Sequence, residues 1–162
     1  MELFCLYDFW IMSGKADHLI QFHYLSGNFH FRDRRRVKSF LVSLIKTEGF
    51  GIDHINYIFC SNRYLLDINR EYLSHNTYTD IITFELSGKG QPLLADIYIS
   101  VDRVHENARI FTTSFKNELH RVIFHGALHL CGYTDKSRRA EQQMRLKESF
   151  YLSRYFVPRG TI

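Results

Sequence analysis

The chain is poor in proline, with only Pro92 and Pro158 among its 162 residues. That scarcity excludes a proline-rich linker and leaves the secondary structure free of imposed breaks. Cysteine is almost as scarce: Cys5, Cys60 and Cys131 are widely spaced and odd in number. They supply neither a disulfide framework nor the paired cysteines of a structural zinc site. No apolar run reaches the roughly 18 residues that a membrane-spanning helix needs. The apolar opening carries Glu2 and Asp8 and lacks a basic leader and a small-residue cleavage site, which argues against a secretion signal. A strong excess of one charge is missing too. Lys and Arg number 21 against 17 Asp and Glu, a net +4 that favours anionic partners only mildly. The expectation is a cytoplasmic protein with no membrane contact.

What is abundant is apolar and aromatic. Hydrophobic residues make up 45% of the chain, with 14 Phe and 10 Tyr, enough for one domain with a bulky core. Residues 1–18 form an aromatic-rich leader, either an extra strand or an extension ahead of a later start such as Met12. Residues 19–155 form the domain, and 156–162 a tail. Alternating and β-branched runs predict strands at Leu19 to Leu25, Ile55 to Cys60, Ile81 to Leu86 and Ala95 to Ser100. Helical periodicity predicts helices at Asp33 to Glu48, capped by Asp33, and at Asn62 to Tyr72 and Val101 to Ile110. Further helices are expected at Ser114 to Leu130 and at Ser137 to Tyr155, capped by Ser137. The expected fold is α+β: a single domain with about four strands in a mixed sheet packed with helices.

The chemistry concentrates on the helix ending at Leu130. His125 and His129 lie four apart, one helical turn from each other on one face. Gly132 can end the helix in a left-handed conformation, and Asp135 follows where a reversed chain brings its carboxylate back to the imidazoles. Two histidines and one carboxylate form a three-ligand zinc set that leaves a position for water, the pattern of a catalytic rather than a structural metal. Phe115, Leu119, Val122, Ile123 and Gly126 share one stripe of this helix, with Phe124 and Leu128 on the far side. A helix apolar on more than one face is central and buried, so the metal site is expected on a central helix. Gly126 costs about 1 kcal/mol of helix stability relative to Ala, which predicts close approach of another backbone there. Cys131 would close the site if its thiolate bound metal; two residues after His129, it is expected to point away and pack.

Other residues carry weaker signals. Arg32, Arg34, Arg35, Arg36 and Lys38 crowd the start of the first helix, where cations oppose the helix dipole. They fit phosphate contact and a solvated face equally well. Lys136, Arg138 and Arg139 follow Asp135, placed to clamp a phosphodiester. Tyr72, Tyr78 and Tyr133 are available for stacking. Asp80, at a strand entrance, can orient a ligand histidine or a water, or cap its own turn. Asp96, inside an apolar strand, needs a partner and is either structural or behind the metal ligands.

The stretch Phe124-His125-Gly126-Ala127-Leu128-His129-Leu130-Cys131-Gly132-Tyr133 resembles the signature of the YbeY family of bacterial rRNA maturation endoribonucleases. Asn69-Arg70-Glu71-Tyr72, Thr79-Asp80-Ile81-Ile82-Thr83-Phe84 and Ala95-Asp96-Ile97-Tyr98-Ile99-Ser100 match in order, so the resemblance spans about Leu19 to Tyr155. It implies one bound zinc ion and cleavage of single-stranded RNA in rRNA (16S 3′-end) maturation and ribosome quality control. It implies rRNA and ribosomal subunits as partners, with no small organic cofactor. By resemblance His125 and His129 are the first two ligands. Most members have a third histidine where this chain has Asp135; a carboxylate lowers the net charge of the site by one, and with it the acidity of a bound water. Many members carry an arginine after the tyrosine matching Tyr72, where this chain has Leu73. Substrate clamping then falls to Arg70, His75 or another basic residue such as Lys136, or activity is low.

Two other functions fit parts of the pattern. One is a non-catalytic ribosome-assembly factor with a structural metal. The other is a zincin-like metallopeptidase, which needs a glutamate directly after the first histidine; here that residue is Gly126.

Overall fold

The computed structural model describes residues 16–25, 27, 29–74 and 76–157. Most of the leader (1–15), His75 and the end of the tail (158–162) lie outside the described residues. The described residues form four strands and five helices in the order β1 (Ile20–Tyr24), α1 (Arg34–Thr47), β2 (Ile52–Cys60), α2 (Asn62–Leu73), β3 (Ile81–Glu85), β4 (Leu93–Ser100), α3 (Val101–Ile110), α4 (Phe115–Leu130) and α5 (Arg138–Phe156). A single helical turn, 16–19, precedes β1, and its Ala16 is buried in the core. The expected α+β class holds, and each predicted element is present within a few residues.

The sheet order is β1-β2-β4-β3. β1, β2 and β4 run parallel, and β3 closes the edge antiparallel to β4. Two-residue periodicity sorts the faces. Ile55, Tyr57 and Phe59 of β2 join Ala95, Ile97 and Ile99 of β4 in the main core, under α1, α4 and α5. The opposite face is covered in part by α2, whose Leu65 and Ile68 pack on Cys60 and Ile82.

α4 is the central helix: it touches α1, α3, α5, β3 and β4. Leu119, Val122, Ile123, Phe124, Ala127 and Leu128 are all buried. Gly126 fits against the sheet, but its close neighbours are side chains and not the backbone that the sequence suggested. A Cβ there would sit 2.8 Å from Ile81 Cδ1 and 3.1 Å from Ile97 Cγ2. Serine caps start four of the five helices, with Ser61, Ser100, Ser114 and Ser137 accepting from Tyr64, Arg103, Asn117 and Ala140 backbone N–H groups. Asp33 precedes α1 but makes no side-chain cap bond. Its carboxylate instead pairs with Lys116 at 3.1 Å, a partner 83 positions away that local sequence could not reveal.

Candidate metal centre

α4 and the turn after it bring His125, His129 and Asp135 together. One ligand atom from each lies within 4.8 Å of the others. The chain reverses at Gly132, whose φ of +86° is the left-handed value expected there. Asp135 Oδ2 ends 3.8 Å from His125 Nε2 and 3.9 Å from His129 Nε2. Tetrahedral zinc bonds place donor atoms about 3.3–3.6 Å apart, so the two carboxylate–imidazole spans lie within about half an ångström of that spacing, and the widest separation in the trio, up to 4.8 Å, would have to close by about 1 Å around an ion.

The other ring nitrogens are committed. His125 Nδ1 donates to Glu148 Oε1 at 2.6 Å, and His129 Nδ1 donates to the Tyr133 carbonyl at 2.8 Å. Each bond leaves its Nε2 as the lone-pair nitrogen, aimed at Asp135. This is how metal-binding imidazoles are oriented in general. Burial, with the neighbouring His125 ring, lowers the His129 pKa and favours the neutral, ligating form.

Glu148 is itself held. Arg121 donates to it at 3.2 Å, to Glu118 at 2.8 Å and to Asp80 at 3.3 Å. Burial disfavours the guanidinium charge, but Glu118, Glu148 and Asp80 outweigh it and the Arg121 pKa is raised. Asp80 therefore acts neither on a ligand histidine nor on its own turn; it holds Arg121 and Asn107. The sequence reading missed Glu148 and Arg121. A signal for Glu148 existed: it interrupts the apolar stripe Met144, Tyr151, Tyr155 of α5 at helical spacing, and all four are buried. A carboxylate in such a stripe needs a buried partner.

A second network supports the turn from the opposite side. Glu48, at the end of α1, accepts from Tyr133 Oη at 2.8 Å, from Lys147 Nζ at 2.7 Å and from Tyr151 Oη. Since the Tyr133 carbonyl receives the His129 bond, α1 and α5 fix the second imidazole through one residue.

Cys131 takes no part. It packs in the main core, and burial pushes its thiol up to about 12. Asp96 also lies away from the centre and is half-buried, because β4 periodicity turns it to the face that α2 covers only in part; it accepts from Asn56 at 2.8 Å. Arg70 is tethered to Asn76 at 2.7 Å. A groove of about 590 Å³ runs from His129 along the free edge of β3, with Leu73, Asn69, Thr83 and Lys136 among its walls. Leu73 thus stands at the groove, and Lys136 is its exposed cation.

Arg32, Arg34 and Arg35 are exposed. Arg36 lies 4.3 Å from the Tyr155 ring and donates to the Tyr155 carbonyl. Lys38 pairs with Asp17 at 2.9 Å. Two of the five clustered cations are thus spent inside the protein.

Fold and site together define an α+β domain whose central helix aims two oriented imidazoles at a carboxylate beside an open groove. The family model described as Endoribonuclease YbeY matches residues 27–156, and the chain belongs to that family. It is 46% identical over 125 residues to an endoribonuclease YbeY of Cytophaga hutchinsonii, covering 77% of this chain and 87% of the relative. A Flavobacterium psychrophilum endoribonuclease YbeY is 45% identical over 139 residues, 86% of this chain and 98% of the relative. The solution structure of TM1509 from Thermotoga maritima superposes with a TM-score of 0.60 at 27% identity, covering 84% of this chain and 88% of that one. Among the described residues no helix is long and apolar enough to cross a membrane.

Proposed function

We propose that this protein is a cytoplasmic, zinc-dependent endoribonuclease that cuts single-stranded RNA in rRNA (16S 3′-end) maturation and ribosome quality control, with rRNA and ribosomal subunits as its partners. The observation that carries the reading is the convergence of both Nε2 atoms on Asp135 with each Nδ1 already committed. One zinc ion would be held by His125, His129 and Asp135 and would supply Lewis acidity for cleavage of the phosphodiester. The chain's own groups do the rest. Glu148 and the Tyr133 carbonyl keep the imidazoles in the ligating tautomer. Lys136 meets backbone phosphate in the groove, and affinity falls as salt rises.

The geometry supports this over the two alternatives. With Cys131 packed in the core, three donors remain and the centre stays open, as catalysis requires and a structural site does not. At the position where a zincin carries its general base, Gly126 is pressed against Ile81 and Ile97. A glutamate there would enter the core, so peptide hydrolysis is not expected.

The test is His129→Ala, checked first for folding because metal loss can destabilise a domain. The folded variant is expected to bind single-stranded RNA through its cations yet cut it at least a hundredfold more slowly than the zinc-loaded wild type, on the order of the loss when a catalytic electrostatic group is removed. Undiminished cleavage by metal-free His129→Ala would defeat the mechanism. Metal-loaded wild type that binds ribosomes but leaves pre-rRNA intact would favour the assembly factor.

A further inference from the structure

α3 and α4 meet at a corner whose exposure core packing does not explain. Ile110 and Phe111 are 69% and 61% exposed. The next residue, Thr112, has φ +50°, a left-handed backbone that a β-branched residue adopts only under strain. The corner is nevertheless ordered by backbone bonds from Phe111 N–H to the Asn107 carbonyl and from Thr113 N–H to the Ala108 carbonyl. It forms one wall of a groove of about 470 Å³ that runs towards α5 and reaches His125 and Asp135. Arg121 with its carboxylates lines this groove, and Arg145 stands at it with an exposed guanidinium paired to Glu141 at 2.6 Å.

Two grooves therefore meet at one centre. The first ends on His129 and carries Lys136; the second ends on His125 and Asp135 and carries Phe111. A strand cut in its interior leaves the cut point in two directions, and either groove alone accommodates one. The second groove suits bases better than phosphates. Asp80, Glu118 and Glu148 outnumber Arg121 there, which repels a phosphate, while an exposed ring accepts the face of any base. A phosphate is placed at the rim, where Arg145 can exchange a solvent-exposed Glu141 pair of little net strength for it.

We propose that the groove beside Phe111 is a second RNA subsite, holding the single-stranded flank on one side of the scissile phosphodiester while the groove beside Lys136 holds the other. Phe111 stacks on a base of its flank. The proposal rests on the endoribonuclease reading and adds to it a two-sided substrate track.

The experiment uses the full, zinc-loaded chain and oligoribonucleotides with one mapped cut, shortened stepwise from either end. Phe111→Ala is expected to raise KM about tenfold, a typical stacking loss, on substrates that keep one particular flank. On substrates lacking that flank it should match wild type. Phe111→Trp should restore the loss, and Lys136→Ala should act through the opposite flank. As a readout independent of cleavage, 2-aminopurine placed in the Phe111 flank should be quenched on binding to His129→Ala, and less so when Phe111→Ala is added. A Phe111→Ala effect equal at all lengths, dependence on the same flank as Lys136→Ala, or unchanged 2-aminopurine fluorescence each overturns the subsite. If wild type cuts RNA but Phe111→Ala behaves like it throughout, the subsite fails alone. If wild type neither binds nor cuts, the endoribonuclease reading fails with it.

Discussion

His120 is fully buried among Phe31, Phe124, Tyr155 and Phe156. Its Nδ1 donates to the Lys116 carbonyl at 2.6 Å, while Nε2 has no partner among the described residues. Burial, only partly offset by that bond, pushes its pKa down to about 4 from about 6.5. The folded protein therefore holds His120 neutral where the unfolded chain takes up a proton. Its contribution is full above about pH 6.5, declines as pH falls towards 4, and levels off below. Urea melts of His120→Leu should show a shallower loss of stability between pH 6.5 and 4 than wild type; parallel losses would remove His120 from the acid limb. Glu148 gives the second prediction at this scale. Glu148→Gln weakens the charge behind His125 Nδ1, so zinc affinity measured by competition should fall roughly 10–100-fold while the fold stays intact. These residues also mark what the sequence could show. The convergence of His125, His129 and Asp135 was legible because a helical turn and a glycine reversal are local geometry. Glu148 sits 23 positions from its histidine, and only the packing of α5 on α4 joins them.

Elements were more legible than their contacts. Among the described residues periodicity located the four strands and the five longer helices, though not the helical turn at 16–19, since burial of one face is written in the residue order. What periodicity omits is which face meets which neighbour: Asp33 was expected as a cap and serves as an ion-pair partner, and Gly126 was expected against backbone and meets Ile81 and Ile97. α4 offers a prediction that separates its two ends. Ser114 caps its start, accepting from Asn117 N–H at 3.1 Å, while His125 and His129 of the candidate metal trio lie near its finish. Ser114→Ala should cost about 1 kcal/mol of stability in denaturant titrations. Zinc affinity should not change, because roughly 20 Å of helix, at 1.5 Å per residue, separates cap from site. A large fall in zinc affinity would mean that the helix transmits fraying along its length.

At the scale of the whole molecule, the order β1-β2-β4-β3 was not legible, because strand neighbours depend on crossovers rather than on local pattern. The run of α1 separates its basic start from the turn that carries the candidate metal residues. Glu48, at the far end of α1, holds Tyr133 beside the site, and about 20 Å of helix separates it from Arg34. Arg34 and Arg35 are exposed at that distant end, whereas Arg36 and Lys38 are already engaged. Cations so far from the cut can hold a long RNA but cannot act on its scissile phosphate. The double variant Arg34→Ala, Arg35→Ala should therefore weaken binding of a long pre-rRNA fragment and flatten its log affinity against log salt by about 1.4, two contacts at about 0.7 each. Its kcat should match wild type, and a short oligonucleotide confined to the grooves should bind both proteins equally. Anisotropy titrations at several salt concentrations, with single-turnover cleavage beside them, decide the matter. A salt slope unchanged on the long fragment would make the cluster a solvated face, and a fall in kcat would place RNA contact there closer to the chemistry than this topology allows.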